Sequence, residues 1–96
     1  MIKVVAKNFV KFEKIDEFIL LAKQLVHDTR QNDTGCISYE LMQDIQNPQL
    51  LTMLEEWEDQ ASLNKHMEAK HFKEAVAMFM DFIEKPGEIN LYKILT

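Results

Sequence analysis

LTMLEEWEDQASLNKHMEAKHF, Leu51 to Phe72, holds a strand, a helix start and two histidines within 22 residues, and the rest of the chain is arranged around it. Leu51 to Trp57 reads as a β-strand, with Leu51, Met53, Glu55 and Trp57 on one face and Thr52, Leu54 and Glu56 on the other. A helix is predicted to follow at once. Asp59 caps it by accepting a backbone N–H, and Ala61, Leu63 and Met67 form its short apolar side. The segment turns at Glu68 to Lys70, and His66 and His71 bracket the turn.

Downstream, Phe72, Ala75, Val76, Phe79, Phe82 and Ile83 recur at helical spacing, which predicts a second half-helix reaching Glu84 and stopped by Pro86-Gly87. Glu88 to Leu95 alternates as a last strand. Upstream, Cys36 to Asp44 alternates Ile37, Tyr39 and Leu41 against Cys36, Ser38, Glu40 and Met42. Gln46-Asn47-Pro48-Gln49 turns this strand into the one from Leu50, an antiparallel hairpin. Lys14 to Gln31 places Ile15, Phe18, Ile19, Ala22, Leu25, Val26 and Thr29 on one helical stripe, with Asn32 to Gly35 as its stop and His27 on the solvated side. The first strand sets Ile2, Val4, Ala6, Asn8 and Val10 against Lys3, Val5, Lys7 and Phe9.

The order is β-α-β-β-α-β with the second helix broken, an α+β class chain with the ferredoxin-like split βαβ arrangement. Short connections put the helices on one face of a four-stranded sheet. Every strand carries apolar residues on both faces, so the open face is expected to be covered by a second copy.

The chain has 96 residues, 47% of them hydrophobic, with two Gly and two Pro, which fits a single domain over residues 1–96. A domain this small buries a modest share of its surface, a further reason to expect a homodimer. The net charge of −5 disfavours nucleic acid, whose recognition needs Lys and Arg on phosphates. No apolar run approaches the roughly 20 residues that span a bilayer, so no membrane partner and a cytoplasmic location are expected. Cys36 is the only cysteine, with no activated-thiol motif around it, and reads as a small apolar filler.

Few residues offer chemistry. His66 and His71 are five apart, whereas a helical metal pair prefers four, and no carboxylate stands at a ligand spacing beside them, so no metal is expected. A histidine titrates near neutrality and can take a phenolic proton; it can equally be a satisfied core residue. Asn8 reads either as a donor aimed into a pocket or as an amide satisfied by backbone. Trp57 offers a flat wall and one N–H donor, Tyr39 and Tyr92 further wall, and Met53 a pliable lining or ordinary core. Glu55 and Glu56 point to opposite faces and do not form an acid/base dyad. With two glycines there is no phosphate-binding loop for a nucleotide cofactor.

EEW at the strand end, the short helix, and HMEAKHF opening the next resemble the antibiotic biosynthesis monooxygenase (ABM) domain family of quinol monooxygenases. VVAKNFVKFEKIDEF, GCISYEL and INLYKIL extend the resemblance over nearly the whole chain. It implies a dimeric α+β barrel with a pocket between each sheet and its helices, and a reaction of dioxygen with a small hydroxylated aromatic, without cofactor. His66 is then the candidate base, Asn8 and Trp57 the orienting donors, and His71, Phe72, Val76, Phe79, Tyr39 and Met53 the substrate-binding lining. Haem-degrading relatives need a Trp where His66 stands and a His where Val76 stands, so haem is not expected. An isomerase or lyase acting on a small phosphorylated signal and a non-enzymatic dimeric binding module remain as alternatives.

Overall fold

The computed structural model describes residues 1–96. The elements are β1 (Ile2–Val10), a 3-10 turn (Phe12–Lys14), α1 (Ile15–Asn32), β2 (Cys36–Gln43), β3 (Leu50–Trp57), α2 (Gln60–Glu68), α3 (Lys70–Phe79) and β4 (Ile83–Tyr92). All three strand pairings are antiparallel and the sheet order is β2-β3-β1-β4, the predicted ferredoxin-like α+β fold.

Alternation does what it predicts on β3. Leu51, Met53, Glu55 and Trp57 are buried, and each alternate residue is half-exposed. Against this face α1 lays Phe18, Ala22, Leu25 and Val26, α2 lays Leu63, and α3 lays Ala75 and Phe79. Phe18 and Phe79 stack with centroids 4.5 Å apart and join α1 to α3. No helix is long and apolar enough to cross a membrane.

Three local expectations are corrected. Pro86-Gly87 does not stop a helix: α3 ends at Phe79, Phe82 lies in the turn, and Ile83 is already in β4 opposite Val10. A proline is tolerated there because β4 is an edge strand whose register shifts between Lys7 and Phe9, so no ladder donor is lost from the sheet interior. Gly87 suits the same place, since a Cβ on it would stand 2.5 Å from the Lys7 carbonyl oxygen. Ile37 does not share a face with Tyr39, because a register shift between Cys36 and Ser38 leaves Ile37 46% exposed and packs Cys36 inward. Met67 likewise points out, and His66 takes the inward position one turn after Leu63.

Two short devices fix the end of the sheet where α1, α2 and β3 meet. Asp59 caps α2 by accepting from the Ser62 N–H at 2.8 Å. Gly35, at φ +85°, reverses the chain after α1, and its carbonyl accepts the Glu58 N–H at 2.9 Å. A Cβ at Gly35 would lie 2.1 Å from the Ser62 Oγ. Gly35→Ala is therefore expected to lose more than ~1 kcal/mol, from the left-handed backbone alone, with further loss from the clash. Urea midpoints check it; adding Ser62→Gly should recover the clash part, and an unchanged midpoint in Gly35→Ala would refute the assignment.

Candidate functional site

The polar centre of the molecule lies where α1 ends and α2 breaks from α3. Asp33 terminates α1, its backbone N–H bonded to the Thr29 carbonyl at 3.0 Å. Ala69, extended at ψ 144°, separates α2 from α3 and turns His66 and His71 toward the same place. The Asp33 carboxylate meets both rings: Oδ2 lies 2.5 Å from His66 Nδ1 and Oδ1 lies 2.9 Å from His71 Nε2. With a carboxylate as acceptor, the proton of a neutral His66 belongs on Nδ1 and Nε2 is left as an unprotonated acceptor.

His66 is 1% exposed, and its Nε2 has no hydrogen-bond partner. Rings surround it: Trp57 and Phe72 at 4.7 Å between centroids and Tyr39 at 5.2 Å. Burial pulls the His66 pKa below its ordinary value, and the Asp33 hydrogen bond and charge only partly restore it, so the neutral ring is the form held.

A second buried acid stands behind Trp57. The indole N–H donates to Glu55 Oε1 at 3.0 Å, and burial pushes the Glu55 carboxyl up to about 7, against the opposing effect of that bond. Tyr39, the cross-strand partner of Glu55, is buried and its phenol is raised, first by burial and then by the Glu55 charge. The Cys36 thiol is raised by burial too and is no activated nucleophile.

Of the residues singled out from sequence, His66, His71, Trp57, Phe72 and Tyr39 come together. Met53 is buried on β3 two positions from Glu55, as core. Phe79 is occupied with Phe18. Val76 is 37% exposed and lines nothing here, because the inward positions of α3 are Phe72, Ala75 and Phe79. Asn8 is elsewhere. Its amide donates to the Ala6 and Leu51 carbonyls, and it pairs with Leu51, six positions along β3 from Trp57, or roughly 20 Å.

The gap expected between Trp57, Phe72, Val76 and Phe79 is filled, since Trp57 is 0% and Phe79 8% exposed. Space lies on the flanks instead. A cavity of about 200 Å³ is lined by Asn32, Asp33, Thr34, Ser62, Lys65 and His66, and one of about 130 Å³ between α1 and α3 includes His71. Asp33, His66 and His71 also place three metal-ligating atoms within 4.8 Å of one another, against the expectation that no carboxylate would join the histidines.

Sequence reasoning missed two residues. Asp33 gave no local signal, because it lies 33 positions from His66 and sits in a stretch that reads as a helix stop. Glu55 did give one: it is the only carboxylate on the buried face of β3.

The sequence model for the family described as Antibiotic biosynthesis monooxygenase matches residues 1–78. The chain belongs to this family. A conserved protein of Methanosarcina mazei Go1, known from its crystal structure, is 47% identical and superposes with a TM-score of 0.91 over 96% of this chain and 90% of its own. YcnE of Bacillus subtilis, provisionally named a monooxygenase, is 33% identical over 83% of each chain. The uncharacterized protein sll1783 of Synechocystis is 37% identical over 95% of this chain, which spans 62% of that relative's length.

Within this ABM fold, Glu55 makes stability depend on pH. The folded protein keeps its proton up to about 7, whereas an unperturbed carboxyl releases it near 4.5. The folded state therefore binds more protons across that window, and stability falls as pH rises through it. Glu55→Gln should remove most of that decline, ~3 kcal/mol at the upper bound. Urea midpoints of both proteins at about pH 5 and pH 8 check this; equal slopes would show that Glu55 is not the group responsible.

Proposed function

We propose that this chain is a cofactor-independent monooxygenase that uses dioxygen to oxidise a quinol or a similar hydroxylated aromatic. The observation that carries the reading is the state of His66: Nδ1 is tied to Asp33 and Nε2 stands buried, unpartnered and unprotonated among aromatic rings. That is the arrangement of a general base with its tautomer chosen for it. Nε2 takes the phenolic proton, and the resulting anion is electron-rich enough to pass an electron to dioxygen. Recombination of the two radicals forms the carbon–oxygen bond. For a simple quinol the products are a hydroxyquinone and water, the ring supplying both electrons. The protein contributes a base, flat walls and exclusion of water.

The open space beside His66 is smaller than the ~300 Å³ at which pockets for drug-sized ligands begin. Substrate is therefore admitted by movement, and the extended Ala69 between α2 and α3 is the hinge that would swing Phe72 aside. Membership of the ABM family and similarity to YcnE support an oxygenase reading over a passive binding module. The wholly polar cavity, with Ser62 and Lys65, favours the second reading, an isomerase or lyase on a small phosphorylated molecule, because those groups suit a phosphate better than a ring.

Oxygen uptake with a panel of quinols tests the first reading. His66→Gln should lower turnover on the best substrate by roughly 10²-fold or more, and Asp33→Asn should also lower it, by releasing the tautomer. Circular dichroism confirms that each variant is folded. Unchanged turnover in His66→Gln removes it as the base, and no uptake with any quinol leaves the phosphorylated substrate as the better reading.

The outer sheet face carries Val5, Phe9, Leu50 and Leu54. A homodimer packed through the sheets would cover the outer face and support the oxygenase reading. Light scattering at micromolar concentration should give twice the mass of one chain; a clean monomer would remove the barrel.

A further inference from the structure

We infer that Asp33, His66 and His71 form a reversible site for a zinc-like divalent transition-metal ion. The three donors come from three separate elements, the end of α1, α2 and the start of α3, and their ligating atoms lie within 4.8 Å of one another. Two imidazoles and one carboxylate are a donor set for zinc and its first-row neighbours, not for calcium or magnesium, which take oxygen. Charge favours a cation here. The carboxylate sits at the C-terminal end of an 18-residue helix, where the backbone dipoles add partial negative charge. The Lys65 ammonium, in the adjoining cavity, is the opposing group.

Geometry sets the adjustment required. Zinc bonds of ~2.0–2.1 Å place tetrahedral ligand atoms roughly 3.3 Å apart. Asp33 Oδ2 is 2.5 Å from His66 Nδ1 and 3.1 Å from His71 Nε2, so these two sides open by less than about 1 Å, while the two ring nitrogens, within 4.8 Å of each other, close by up to about 1.5 Å. His71 is 20% exposed and the cavity of about 200 Å³ reaches Asp33 and His66, which leaves room for water as the remaining ligand.

Binding moves the single proton of the neutral His66 ring from Nδ1 to Nε2. The new N–H then faces only rings, and a ligating histidine whose other N–H has no acceptor loses ~10- to 100-fold in metal affinity. The ion is therefore exchangeable, not resident. The same tautomer change takes away the acceptor that would serve as a base, so the bound ion inhibits. That consequence rests on the oxygenase reading; the site itself does not.

Titration of the full chain with Co²⁺ near neutral pH provides the test, since a low-coordinate Co²⁺ site shows visible d–d absorption. The expected result is absorption rising to one ion per chain and bleached by Zn²⁺. His71→Ala and Asp33→Asn should each weaken it at least ~10-fold, whereas His27→Ala, which alters an exposed histidine on α1, should leave it unchanged. Absence of bands together with no metal retained on equilibrium dialysis would overturn the site, as would binding lost in His27→Ala and kept in His71→Ala. Saturating Zn²⁺ should slow quinol turnover. Co²⁺ binding without any quinol turnover sinks the base and leaves the site standing, and turnover raised by Fe²⁺ above the metal-free protein would overturn the inhibitory role.

Discussion

One carboxylate holds three elements together. Asp33 closes α1 and receives an imidazole from α2 and another from α3, so the two short helices are docked to the long one by hydrogen bonds as well as by apolar contact. A carboxylate at a helix C-terminus is electrostatically unfavourable by itself. Two ring N–H groups offset that, and their strength comes from the burial that keeps water from competing. α2 has only Leu63 and His66 buried, so without this link little would orient it on the sheet.

The fold was legible where a single periodicity acts over a whole element. The stripe on α1 and the alternation on β1 and β3 are each long enough to fix which face is inside. The errors fall where two signals compete. Pro86-Gly87 reads as a stop in any one-dimensional view, yet an edge strand with shifted register accepts both residues, so β4 begins before them. Ile37 and Tyr39 obey alternation in sequence, and a local bulge cancels it.

The candidate site was half legible for a related reason. His66, Trp57 and Phe72 belong to one continuous stretch, and their meeting follows from a strand that ends, a helix that starts and a break at Ala69. Asp33 is brought in by topology alone, and no local pattern announces a contact spanning 33 positions. Asn8 shows the converse. It lies on the expected face of β1, but face without register is not position: opposite strand ends pair in an antiparallel sheet, so the residue near the end of β1 lies beside the start of β3 and away from Trp57.

Trp57 links the two buried titrating groups. Its N–H meets Glu55 and its ring lies against His66, so a histidine held toward its neutral form and a carboxyl that keeps its proton up to about pH 7 share one rigid partner. Burial shifts both toward the uncharged form, and readmitting water removes that shift. A movement of α3 that uncovers Phe72 would therefore alter the proton affinity of His66 in the same act that exposes its Nε2. Opening without a substrate restores hydration and removes the burial that lowers the imidazole pKa, leaving the raising effect of Asp33. Opening onto an aromatic ring would keep His66 dry and neutral. If the proposed oxygenase reaction holds, the surrounding rings would be more than packing: they would make the reactive state conditional on a flat apolar ligand replacing Phe72, and so tie proton removal to the presence of the molecule that is to lose the proton.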